Sequence, residues 1–196
     1  MALGQTDKDT AVEALAAPAG HFALVCHPAR PARAVRAVSV DWRADGDHFV
    51  LGWQVAGAAH LVVPPAVAPA RADGLWQTTC FELFLADAGT AYCEFNLSPS
   101  TRWAAYRFAA YRDGMAPQEM PQPPQITPGA AGGAVFACTV RLPAALLAGA
   151  RAAGLCAVIE EAGGHLSYWA LAHGPGQPDF HASACFALAI GAAEAP

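Results

Sequence analysis

From about residue 20 onward, short apolar runs of roughly six to nine residues alternate with clusters of Gly, Pro, Asp and Asn. This punctuation constrains the chain more than any other feature, because it disfavours long helices and fits many short strands. Forty-eight of the 196 residues are alanine, which by propensity favours helix. Eighteen glycines and 16 prolines counter that preference. The runs predict strands at 22–26, 36–44, 48–56, 59–63, 78–86, 91–98, 102–109, 134–142, 155–161, 165–171 and 184–190. The fold class expected is all-β, an antiparallel sandwich of jelly-roll type with one short helix at 143–153, where Pro143 suits the first turn. Asp45-Gly46-Asp47 and Gly163-Gly164 read as hairpin turns. Residues 113–133 carry five prolines and four glycines without periodicity and read as one long loop. Residues 1–20 read as a loose tail and 21–192 as one domain, a length that suits a single core.

Charge and cysteine usage narrow the function. The net charge is −5, and Arg30, Arg33, Arg36 and Arg43 are separated by apolar residues rather than forming a basic stripe, so no nucleic-acid partner is expected. The six cysteines lack CxxC or metal-finger spacing and sit in apolar segments, as small hydrophobes do. Without a leader-like start or an 18-residue apolar run, the expectation is a cytoplasmic protein with reduced thiols and no membrane partner.

Alternation assigns faces. In 80–85, Phe81, Leu83 and Leu85 point one way, and Cys80, Glu82 and Phe84 the other. In 92–97, Cys93, Phe95 and Leu97 oppose Tyr92, Glu94 and Asn96. A hairpin through 87–90 puts both apolar sets on the core, so Glu82 lies opposite Glu94 or Asn96. A second hairpin through Ser98-Pro99-Ser100-Thr101 adds Arg102 and Tyr106 to that polar face and sets Trp103 and Arg107 on the core side, with Arg107 reaching a rim. The face is either a solvated sheet surface or a ligand surface on which polar groups and rings meet a sugar-like molecule.

These residues carry a resemblance. Leu75-Trp76-Gln77-Thr78-Thr79-Cys80-Phe81-Glu82-Leu83-Phe84 resembles the strand that opens the binding site of family 9 carbohydrate-binding modules, members of the wider group of DOMON-like β-sandwich domains. Tyr92-Cys93-Glu94-Phe95-Asn96-Leu97-Ser98-Pro99 is similar to the next strand of that family, and Tyr168-Trp169 with Phe186-Ala187-Leu188 to its closing strands. The resemblance spans about 22–190 and is greatest to uncharacterised bacterial DOMON-like proteins. It implies non-catalytic binding of a carbohydrate or related polar small molecule, with Trp76 and Phe180 as platforms. Glu82, Glu94, Asn96, Arg102 and Gln177 are the implied polar ligand-binding groups. Two departures stand out: Thr79 occupies a usually acidic position, and Glu94 falls where the family has arginine. A structural calcium, held by some relatives, and the oligomeric state stay open.

Other constellations are weaker. In the loop from His173 to His181, His173, Asp179 and His181 are candidate metal ligands, but capping of turns is the preferred reading, and no metal is expected. Glu82 and Glu94 form a candidate glycosidase pair, a reading ranked below binding, so enzymatic activity is left open with the balance against it. Haem, the other DOMON ligand, is disfavoured, because Met115 and Met120 fall in the long loop. The alternative to sugar binding is a structural or partner-binding module with no small ligand, which offers an edge strand or the 113–133 loop.

Overall fold

The computed structural model describes residues 18–191. It contains twelve strands: β1 (Gly20–Cys26), β2 (Ala37–Asp45), β3 (His48–Ala56), β4 (Cys80–Ala86), β5 (Tyr92–Leu97), β6 (Trp103–Phe108), β7 (Ala116–Pro117), β8 (Gln125–Pro128), β9 (Val135–Pro143), β10 (Ala152–Glu161), β11 (His165–Ala170) and β12 (Leu188–Ala189). All pair antiparallel along one path, β7-β6-β5-β4-β10-β11-β1-β2-β3-β9-β8, with β12 joined to β10. The expected two-sheet jelly roll is thus a finer description than the pairing gives, which is a single curled sheet. β1 makes the corner. Its Gly20–Leu24 stretch pairs with β2, and Val25 and Cys26 pair with β11.

The curl brings the apolar faces of the two halves together. Val40 and Trp42 of β2, Leu51 and Trp53 of β3 and Phe136 and Val140 of β9 pack in one cluster with Phe81 and Leu83 of β4, Phe95 of β5 and Leu155 of β10. Trp53 stacks on Phe81 at 5.2 Å between ring centroids, and Phe81 lies 6.5 Å from Phe136, so aromatic contacts join the halves directly. The reverse faces differ. On β2 and β3 it is polar and wet, with Gln54 donating to Asp41 at 3.1 Å. On β4 it is buried like the inner face, because the segment after β11 folds back across it.

Several expectations need correction. The span 143–153 holds no α-helix: β9 runs to Pro143, a single 3-10 turn covers Ala144–Leu147, and β10 starts at Ala152. Alanine propensity cannot nucleate a helix in a span that must reverse the chain, and Gly149, at φ 80°, turns it. At 59–63 a 3-10 turn (Ala58–His60) and one bridge, Leu61 to Glu161, replace the strand. At 184–190 only Leu188–Ala189 is strand, after a 3-10 turn at Ser183–Cys185. The 113–133 loop contains β7 and β8, which pair with β6 and β9 but are too short to show alternation. Arg107 is exposed while Trp103 packs into the core, so the strand's core side opens to solvent at that end. Residues 1–17 of the expected tail lie outside the described residues, and Gly20 already begins β1. All six cysteines are free, and no described helix is long and apolar enough to cross a membrane.

One buried charge anchors the β1–β2 connection. Glu161, 2% exposed at the end of β10, accepts backbone N–H bonds from Arg33 (2.8 Å), Ala34 (2.5 Å) and Val35 (3.1 Å). The same connection lies against Gly57, where a β-carbon would meet the Ala34 carbonyl oxygen at 2.3 Å. Burial acts to raise the Glu161 carboxyl, and the three backbone donors outweigh it and hold it below its ordinary value. A depressed carboxyl stabilises the fold above its unfolded value, and that contribution is lost as pH falls through the folded one. Glu161→Gln places an amide nitrogen against backbone donors and is expected to cost about 1–3 kcal/mol in urea unfolding at neutral pH. The difference from the unaltered protein should shrink in acid below the usual carboxylate range.

Candidate functional site

The buried reverse face of β4 and its neighbours forms the floor of a cavity of about 1180 Å³. Register fixes what stands there. Glu82 is opposite Asn96, and Glu94 is opposite both Phe84 and Tyr106. Val158 is opposite Cys80 and Tyr168. The sequence-derived pairing of Glu82 with Glu94 or Asn96 thus resolves to Asn96, with Glu94 one step diagonal. Three connections raise the walls: Asp73, Gly74, Trp76 and Gln77 before β4; Arg112 and Met115 after β6; and Gln177 to His181 after β11.

Of the residues expected at a site, Trp76, Glu82, Glu94, Gln177 and Phe180 line this cavity. Trp76 stands in a 3-10 turn after Gly74 and is 51% exposed, outside the core, as its position beyond the apolar period suggests. The other four tryptophans are buried. Phe180 is buried against Tyr168, edge to face at 6.0 Å. Asn96 is beneath the surface rather than on the lining, and its amide donates to Glu94 Oε1 at 2.6 Å. Arg102 lies before β6 and does not line the cavity, because the left-handed turn at Thr101 (φ 70°) sets it at the far end of the strand.

The arginine at the cavity is Arg112. It occupies a left-handed position (φ 53°) in the tight turn Ala110-Tyr111-Arg112-Asp113, closed by the Asp113 N–H on the Ala110 carbonyl at 3.0 Å. Its guanidinium meets Asp179 Oδ1 at 2.7 Å, while Tyr111 donates to Oδ2 at 2.5 Å. Asp179 also accepts the His181 backbone N–H at 3.1 Å. Burial opposes ionisation of Asp179, yet these donors keep its carboxyl below the ordinary value. Tyr106 donates to Asp73, another contact invisible in the sequence. The Arg-Asp-Gly turn closing a strand was the available signal for Arg112, but its partner is 67 residues away.

His181 carries the most informative geometry. Its ring lies among Phe108 (5.1 Å), Phe84 (5.5 Å) and Tyr92 (5.8 Å). The Tyr92 hydroxyl accepts the Arg112 backbone N–H at 3.1 Å and donates to His181 Nδ1 at 2.8 Å. The tautomer with the ring proton on Nε2 leaves Nδ1 free to accept the Tyr92 hydroxyl and turns an N–H toward Glu94 Oε2, 3.6 Å away. His173 instead bonds the Val25 carbonyl at 2.8 Å, and Asp179 closes a turn, in keeping with capping. Among the described residues no group of three or more His, Cys, Asp or Glu side chains is arranged to hold a metal. Met115 lines the cavity mouth, whereas Met120 packs on the core, so the two do not converge.

Two carboxyls share the floor. Glu82 is 3% exposed and has no hydrogen-bond partner among the described residues. Burial, and secondarily the Glu94 charge, pushes its carboxyl well above the usual range. Burial also raises Glu94, against the opposing pull of Asn96 and Arg112. The floor can thus donate or accept at Glu82, accept at Glu94 and donate from His181.

No family profile and no curated protein matches the chain. A solved structure, that of a candidate carbohydrate-binding protein from Bacteroides uniformis, is similar with a TM-score of 0.59, covering 88% of this chain and 84% of that one. At 17% identity this shows a shared fold.

Burial, assisted by the Arg112 charge, lowers His181 from the ordinary 6.5 to about 4. The unfolded ring takes up its proton near 6.5 and the folded ring does not until about 4, so this residue makes stability fall as pH drops between those values. An NMR titration of the ring carbons should show His181 neutral at mildly acidic pH. A midpoint at or above the ordinary value would instead place a full counter-charge beside it.

Proposed function

We propose that this chain binds a carbohydrate or closely related polar small molecule without catalysing its conversion. The observation that carries the reading is the cavity itself, with an exposed indole over a floor of buried hydrogen-bonding groups. Sugars present apolar ring faces and a rim of hydroxyls, and sites of this composition serve both. Trp76 and Phe180 are the platforms in this reading. Glu82, Glu94 and Gln177 address hydroxyls, Asn96 orients Glu94, and Arg112 replaces Arg102 as the arginine of the wall. The B. uniformis protein, with its ascribed carbohydrate binding, supports this direction.

The finer placement among DOMON-like β-sandwiches, near family 9 modules, rests on the spacing of Trp76 and Glu82 and the order of the following strands. A binding role is preferred to hydrolysis because carboxyl pairs on one sheet face are common without catalysis, and Glu82 and Glu94 form such a pair on adjacent strands. A purely structural module would be favoured by a flat or filled face. Tyr92 is instead packed beneath the cavity with Phe108 at 4.8 Å, leaving the space above open.

A thermal-shift screen against soluble mono- and disaccharides, followed by calorimetry, tests the reading. A saturable shift is expected with at least one sugar, and failure of all of them overturns it. Trp76→Ala should abolish that binding and change stability by less than about 1 kcal/mol, because half the side chain is already in water. Loss of cooperative unfolding in this variant would remove Trp76 from the platform role.

A further inference from the structure

The charge pattern of the cavity is lopsided in a way that a neutral sugar does not answer. The charged or ionisable groups on its lining, apart from the tyrosines, are Glu82, Glu94, Asp73, Asp179, Arg30, Arg112 and His181. Arg112 is committed to Asp179 at 2.7 Å, and Arg30 is exposed at the mouth. Asp73 lies at the outer wall and takes the Tyr106 hydroxyl. The floor keeps Glu82 and Glu94 with no arginine or lysine in ion-pair contact among the described residues. The nearest basic group, His181, turns Nε2 toward Glu94 at 3.6 Å, beyond hydrogen-bond reach, and brings no positive charge at neutral pH.

Glu82 gives the independent sign. The residue is more than nine-tenths buried and lines the cavity, and its carboxyl meets no donor among the described residues. A buried acid without a partner is costly, and such a group calls for a partner from outside the chain, a water, an ion or a ligand. Counting bonds sharpens the chemistry. Glu94 Oε2 and both Glu82 oxygens are acceptors once ionised, and one imidazole N–H is the donor opposite them. A hydroxyl brings one donor to this surplus, and an ammonium brings three together with the absent positive charge. Trp76, Tyr106, Phe108 and Phe180 around the same space add ring faces that attract a cation.

We propose that the cavity takes a sugar bearing a protonated amine, with its ammonium seated between Glu82 and Glu94. This deepens the carbohydrate reading and rests on it. The sugar ring lies against Trp76, and the amine enters the acid floor between the two carboxyl groups.

Calorimetric titration of the full chain at neutral pH with D-glucosamine, its disaccharide, N-acetyl-D-glucosamine, D-glucose and choline tests the proposal. The two amines should bind about tenfold or more tighter than their N-acetyl and hydroxyl counterparts. Glu82→Gln, a change of nearly equal volume, should reduce that preference to about twofold or less, while its melting temperature reports on the fold. Equal or tighter binding of N-acetylglucosamine or glucose by the unaltered protein overturns the amine assignment and leaves carbohydrate binding standing. Binding of choline with every sugar refused, or no binding at all, overturns both.

Discussion

The pairing of β4 with β10 is the constraint on which the rest of the molecule depends. Seven consecutive register pairs, from Ala152 with Ala86 to Val158 with Cys80, run between the two strands, and neither reverse face reaches solvent. Strands buried on both sides normally read as unbroken apolar runs. Cys80–Ala86 does so except at Glu82. The pairing fixes Phe81, Leu83 and Leu85 toward the core that joins the two halves, and so commits Glu82 to the opposite side. The chain after β11 then covers that side with Phe180 and Phe186, which leaves the carboxyl neither in the core nor in water. The cavity exists because this cover stops short of Glu82 and Glu94.

Holding these acids has consequences for their neighbours. A second carboxyl next to Glu82 makes full ionisation of both unfavourable, and Asn96 and Arg112 bias the charge toward Glu94. The histidine that faces Glu94 is kept neutral by the same burial and by the rings around it. Asp179 ties down the loop bearing Phe180 and His181 by pairing with Arg112, while Tyr92 connects the Arg112 backbone to the imidazole. The wall connections are thus linked through hydrogen bonds as well as through the apolar cluster of Phe84, Tyr92, Phe108 and Phe180. Such fixed polar groups can meet a ligand with little reorganisation.

Much of this was readable from period-two alternation. The faces of 80–85 and 92–97, the pairing of their polar residues, the position of Tyr106 and the exposure of Trp76 all follow from local pattern and the need to bury one face. What could not be read has a common physical origin in contacts distant along the chain. Arg112 matters because a left-handed turn aims it at Asp179, and Arg102 fails because a similar turn at Thr101 leaves it before β6, at the opposite end from Tyr106 and Phe108. Neither backbone angle has a glycine to announce it. Strands β7 and β8 are ordered by their partners, and 143–153 shows the converse error, in which propensity was followed where the chain had to return to the sheet.

The alanine content finds its explanation in the geometry of the two faces. On the inner face Ala105, Ala153 and Ala157 pack among Phe81, Trp53 and Leu155, and their small volume lets the curled halves close around large rings. On the cavity face the rank through Glu82 reads Ala104, Asn96, Glu82, Cys156, Ala170 across five strands. The ends of that rank are methyl groups, while the next rank carries Tyr106, Glu94 and Phe84. Alanine, which misleads as a helix former, here accounts for the tight closure of the core, while the hollow on the outer side is lined by larger polar and aromatic side chains such as Glu82, Tyr106 and Phe180.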